Sequence, residues 1–138
     1  MTYTDSNRGL AQYPERMKQP VLFEGLRFGN ATPTDIDGFF EIHGETCVFF
    51  EVKLEGAVLP KGQSLALTRL VDYLTIAGRD AVLFICTHNV TDPHSPIIAE
   101  NLSVQKAYYK GKLYDYRYRT LKDAVESFVT YSQKNHEL

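Results

Sequence analysis

Tryptophan is absent from this chain, and cysteine and methionine occur twice each in 138 residues. Two cysteines cannot build the multi-bridge framework of a small secreted domain. Cys47 and Cys86 each sit inside an apolar, strand-like run, so two buried thiols in a reducing compartment are expected. No stretch reaches the ~20 apolar residues that a membrane-spanning helix needs. The opening MTYTDSNRGLAQYPERMKQP holds no apolar signal segment, and a cytoplasmic protein is the expectation. Charge of one sign is lacking as well: 15 Lys and Arg against 17 Asp and Glu leave a formal net charge of −2. That balance excludes global attraction of a polyanion, which would have to be held by a local basic patch or a bound cation.

What is present reads as one ordinary globular domain over residues 1–138. Hydrophobic residues make up 43% and charged residues 23%, enough for a single sizeable core. Residues 1–20 are polar, carry Pro14 and Pro20, and read as an irregular arm. Val21–Phe28 is a short apolar segment that suits either a helical turn or a first strand. Two strand-like runs follow, IDGFFEI (36–42) and TCVFFEVK (46–53), joined by His43-Gly44-Glu45. A short Gly-containing connection between such runs reads as a hairpin. From Gln63 the period becomes helical, with Leu67, Leu70, Val71 and Leu74 on one stripe that ends near Gly78. AVLFICTH (81–88) reads as a buried strand, and a second hairpin is expected around Gly111. Thr120 then caps an amphipathic helix carrying Leu121, Val125, Phe128 and Val129 on one face. The order β-β-α-β followed by β-β-α is an α/β sheet with helices against it.

The first hairpin carries the chemistry. Centring it on Gly44 sets Asp37 opposite Glu51 and Asp35 opposite Lys53, with Cβ atoms roughly 5 Å apart across the strands. Ile36, Phe40, Val48, Phe50 and Val52 then form one apolar face. Cys47, Phe39 and Phe49 share the other face with Asp37 and Glu51. Two carboxylates opposed on a half-buried face repel. A hard divalent cation with oxygen ligands offsets the repulsion, Lys53 adds a second compensating charge, and the Val52 carbonyl offers a further ligand. Mg2+ held in this way lowers the pKa of a bound water and neutralises charge during attack on a phosphodiester. An adjacent ammonium can orient that water or stabilise the transition state.

The run PTDIDGFFEI…FFEVK resembles the signature of the PD-(D/E)XK nuclease superfamily, the restriction-endonuclease-like and Holliday-junction-resolvase-like enzymes. The resemblance spans about residues 24–88. It implies a restriction-endonuclease-like core, a central mixed sheet flanked by helices in the order α-β-β-β-α-β, with an extra C-terminal hairpin and helix. It implies metal-dependent hydrolysis of DNA, with Asp37 and Glu51 as ligands of Mg2+ or Mn2+ and Lys53 assisting the attacking water. Glu24 matches a further acid that many members carry in a preceding helix, and Gln63 a glutamine that opens the helix after E-x-K in some. The chain departs from the strict signature in one respect, because Pro33-Thr34-Asp35-Ile36 intervenes before Asp37. Asp35 therefore remains an alternative to Asp37.

Plainer roles stand beside these. Asp37, Glu51 and Lys53 could form a structural salt-bridge cluster, Glu24 a solvated turn acid, and Gln63 a polar residue at a helix start. The four histidines read as solvated. YYKGKLYDYRYR (108–119) mixes tyrosine with basic residues. Lys110, Lys112, Arg117 and Arg119, together with Lys61, are candidates for DNA phosphate contact. The alternative is a Tyr face packed on the last helix with the basic residues in water. A nuclease-like fold without turnover, binding DNA or protein, is the second functional reading, and an RNA-directed nuclease the third. A homodimer making two cuts is a further expectation for so small a chain.

Overall fold

A computed structural model describes residues 20–56, 61–118 and 120–136, without the side chains of residues 61–64 and 118. The chain divides into two compact units with the boundary after Pro33. In the first, Val21–Phe28 forms neither a helix nor a strand. Glu24 and Gly25 make a turn, the Leu26 N–H donates to the Phe23 carbonyl at 3.0 Å, and Phe28 bridges to Ala31. Gly25, at φ 79°, takes a left-handed conformation that ends any helix at that point.

The unit from Thr34 onward follows the order read from the sequence. It comprises β1 (Gly38–Ile42), β2 (Thr46–Leu54), α1 (Lys61–Ile76), β3 (Asp80–His88), β4 (Ser103–Tyr109), β5 (Lys112–Tyr118) and α2 (Leu121–Asn135). The strands form one five-stranded mixed sheet in the order β1-β2-β3-β4-β5. β2 and β3 are parallel, joined through α1, while the other three pairs are antiparallel. The class is α/β. Among the described residues no helix is long and apolar enough to cross a membrane.

Alternation along β2 and β3 decides which helix covers which face. Cys47, Phe49, Ala81 and Leu83 project to one side and pack with Leu67 and Val71 of α1. Val48, Val82, Phe84 and Cys86 project to the other and pack with Leu121 and Ala124 of α2. Both thiols are buried and free, in different layers. α1 closes at Gly78, φ 87°, where the Arg79 N–H donates to the Leu74 carbonyl at 2.9 Å, a Schellman-type end. α2 begins at Thr120, whose hydroxyl accepts the Asp123 N–H at 3.1 Å.

The pole at the starts of β2 and β3 is pinned by polar groups. Ser132, wholly buried on α2, bonds to the Thr46 hydroxyl and donates to Asp80 Oδ2 at 2.8 Å. His136 Nε2 lies 3.2 Å from the same Asp80 oxygen. The opposite pole, where β2 and β3 end, carries the E-x-K residues.

Candidate active site

The first hairpin has the expected register: Gly38 pairs with Phe50, Phe39 with Phe49 and Ile42 with Thr46. Its turn places His43 (φ 54°) and Gly44 (φ 69°) in the left-handed region, which matches the twist of antiparallel strands. The ladder stops at Gly38, one residue short of the acid. Asp37 then leaves the strand, and its carboxylate Oδ2 accepts the Val52 N–H at 2.7 Å. A side chain thus takes over where a main-chain ladder bond would continue.

That substitution fixes the pair. The main chain and the carboxylate of Asp37 both act on the Glu51 carboxyl. Glu51 is 0% exposed, whereas Asp37 stands in solvent at the sheet edge. Burial, then the Asp37 charge, pushes the Glu51 carboxyl up to about 7, although Lys53 pulls in the other direction. At neutral pH the group is thus poised between its acid and its carboxylate. Lys53 is half-buried and follows Glu51 by one turn of the strand pleat, on the same face. Burial, and the charges of Asp37 and Glu51, also push the Cys86 thiol up to about 12, so Cys86 is no nucleophile at neutral pH.

Gly38 was not singled out in the sequence, yet the position of the Phe50 ring requires it. A Cβ there would lie 1.9 Å from the tip of the Phe50 ring. The ring lies over the glycine and packs against the α2-side core. The D-G-hydrophobic order of 37–39 is the signal that carries this requirement.

Two expectations are corrected. Ile36 does not join Phe40 and Phe50 on the α2 side. It lines a groove with Phe39, Phe49 and Leu70 on the α1 side, because strict alternation ends where the strand does. For the same reason Asp35 has no ladder position opposite Lys53, since pairing stops at Gly38; it is exposed. Asp37 is the acid brought to Glu51.

Glu24 belongs to the unit before Thr34 and is exposed at its turn. Gln63 and Lys61 lie in the first turn of α1, but their side chains, and Arg119 as a whole, fall outside the described residues. Lys110 and Gly111 form the tight β4–β5 turn, level with Val82 at the start of β3. Lys110 and Lys112 are therefore at the pole opposite Glu51 and Lys53. Arg117 is exposed near the end of β5, at the pole of Lys53 but three strand spacings, about 14 Å, across the sheet. Three of the tyrosines serve packing, on both faces. Tyr108 donates to Asp72 of α1 at 2.9 Å, while Tyr109 meets Phe128 of α2 edge-on and Tyr116 lies against Phe84.

The donor set fits a hard divalent cation. Two carboxylates converge, and because N–H and C=O of one strand residue point to the same side, the Val52 carbonyl faces the edge where Asp37 stands. Among the described residues no group of three or more His, Cys, Asp and Glu side chains could hold a metal. No family model, curated protein or solved structure matches the chain.

Proposed function

We propose that the protein is a divalent-metal-dependent nuclease that hydrolyses DNA phosphodiester bonds, on a restriction-endonuclease-like core. The observation that carries this reading is the wholly buried Glu51 held against Asp37, with Lys53 beside them on the E-x-K strand. A salt-bridge cluster accounts less well for the pair. Lys53 offsets part of the charge, yet burying one carboxyl against a second remains costly and is not what a structural cluster alone requires. Such perturbed acids are the usual mark of sites built for chemistry.

Asp37 and Glu51, with the Val52 carbonyl, would hold Mg2+ or Mn2+. The cation supplies charge neutralisation at the scissile phosphate and an acidified water. Asp37, fixed by the Val52 N–H, needs little reorganisation to present its second oxygen. Glu51 is uncharged in the acid form and becomes a ligand only once it loses its proton. Lys53 projects its ammonium from the same face and orients the attacking water or the phosphate.

Calorimetric titration with Mg2+ and Mn2+ separates this reading from a silent nuclease-like fold that only binds DNA or protein. Saturable binding that Asp37→Asn and Glu51→Gln each abolish is expected. Wild-type protein that takes up neither ion at pH 8, with or without DNA, would leave only the silent fold.

A further inference from the structure

A cleft of about 430 Å3 opens beside the E-x-K strand, at the ends of β2 and β3. This volume is within the range of small-molecule sites. In open α/β sheets, ligands bind outside the carboxyl ends of parallel strands, and β2 with β3 is the parallel pair in this sheet. Thr87, on the cleft wall, is the register partner of Lys53, and the Glu55 N–H donates to the His88 carbonyl at 2.8 Å. The cleft thus begins on the strand row where Lys53 stands.

The lining has two characters. The strand ends supply hydrogen-bonding groups, Glu55, His88 and Asn89, with Gln105 from β4, while the β3–β4 connection supplies the apolar Ile97 and Ile98. The groups are partly organised already. His88 accepts the Val90 N–H at Nδ1, 3.0 Å, which leaves Nε2 as the ring's donor toward a ligand. Gln105 donates from Nε2 to the Thr87 hydroxyl at 3.3 Å, which leaves its carbonyl oxygen as an acceptor. Donors, acceptors and a carboxylate lining one cleft together with apolar contact suit a heteroaromatic base with alternating edge groups. Amides pair with adenine edges and carboxylates with the cytosine amine.

We propose that this cleft takes one unstacked nucleobase of the DNA strand whose phosphate lies at Asp37, Glu51 and Lys53. The inference rests on the nuclease reading for that neighbouring phosphate. A base whose hydrogen-bonding edge enters a cleft has left its duplex. The substrate is therefore single-stranded or branched DNA, or a duplex from which a nucleotide has been extruded.

Fluorescence anisotropy with the full chain in EDTA reads binding without metal-dependent cutting. The probes are a labelled single-stranded deoxyoligonucleotide, a series in which one abasic position is walked along it, and free deoxynucleoside monophosphates. One abasic position is expected to weaken binding roughly tenfold, and Gln105→Leu and Asn89→Leu should each erase that difference while leaving affinity for the abasic strand unchanged. Equal binding of every abasic and intact strand by the wild-type protein overturns the proposal, and that comparison needs no variant to fold. Loss of affinity for both strands alike in the variants overturns it too, because the cleft would then contact backbone. A free nucleotide bound as tightly as the strand would assign the base site to a soluble nucleotide and overturn the strand form. Failure of the nuclease reading appears separately, as no Mg2+-dependent cutting, and leaves the base dependence readable by itself.

Discussion

Replacing Glu51 by glutamine should stabilise the metal-free protein at high pH and do almost nothing at low pH. The Glu51 carboxyl is raised from 4.5 in the unfolded chain to about 7 in the fold. The folded state therefore holds the proton more tightly. The stability linked to it is fully present below pH 4.5 and is lost as pH rises through 7. Each pKa unit is worth about 1.4 kcal/mol, so the loss amounts to about 3 kcal/mol for a group shielded from water. Glutamine keeps the shape and never ionises. In EDTA at pH 5 the variant should be more stable by less than about 1 kcal/mol, and at pH 8.5 by up to about 3 kcal/mol. For a domain of this size that raises Tm by roughly 10 °C. Saturating Mg2+ should act in the opposite sense, stabilising wild type by about 1.4 kcal/mol at ten times Kd and leaving the variant unmoved. Because the ion needs the carboxylate, its affinity for wild type should fall about tenfold per pH unit below 7. Denaturation curves at the two pH values decide the matter: a variant that tracks wild type at both would refute the buried, acid-paired Glu51.

Lys53→Met keeps the length of the stem without the charge. It should retain or slightly strengthen metal affinity by calorimetry while DNA turnover falls at least a hundredfold; wild-type turnover would reduce Lys53 to a charge partner. Gly38→Ala forces the Phe50 ring off the strand and should cost about 1–3 kcal/mol in denaturant unfolding, with metal affinity falling too because Asp37 is its neighbour. Unchanged stability would mean that Phe50 moves freely. Arg117→Glu should reduce the slope of log K against log salt by about 0.9, whereas Lys110→Glu, at the far pole, should leave it unchanged. Equal effects would show that DNA runs along the hairpin rather than across the strand ends.

Much of this site was legible because its geometry is local. A tight turn at Gly44 fixes the register of the strands it joins; the Gly38–Phe50 pairing is the register read, although the ladder stops there and Asp37 lies just outside the strand. Alternation along β2 likewise separated Val48 from Cys47 and Phe49. The pattern fails where the strand ends, which is why Ile36 changed sides and Asp35 lost its partner. Other features depend on contacts remote in sequence. Nothing in the run around Asp80 announces that Ser132 and His136 meet its carboxylate. The β4–β5 hairpin was read correctly as a hairpin, but its distance from Lys53 follows from a strand order that no local period encodes. The cleft is of the same kind, because Glu55, His88 and Gln105 come from three strands' ends and converge only in the folded sheet.

Cleavage is the most direct measurement. Supercoiled plasmid, single-stranded DNA and a four-way junction would each be incubated at pH 8 with wild type and with Asp37→Asn, in Mg2+, Mn2+ or EDTA. Wild type should cut at least one of them with either ion and none in EDTA, and Asp37→Asn, folded to the same extent by circular dichroism, should cut none. Cutting that survives EDTA or Asp37→Asn, or no cutting by wild type under any of these conditions, would contradict a metal-dependent nuclease built on Asp37 and Glu51.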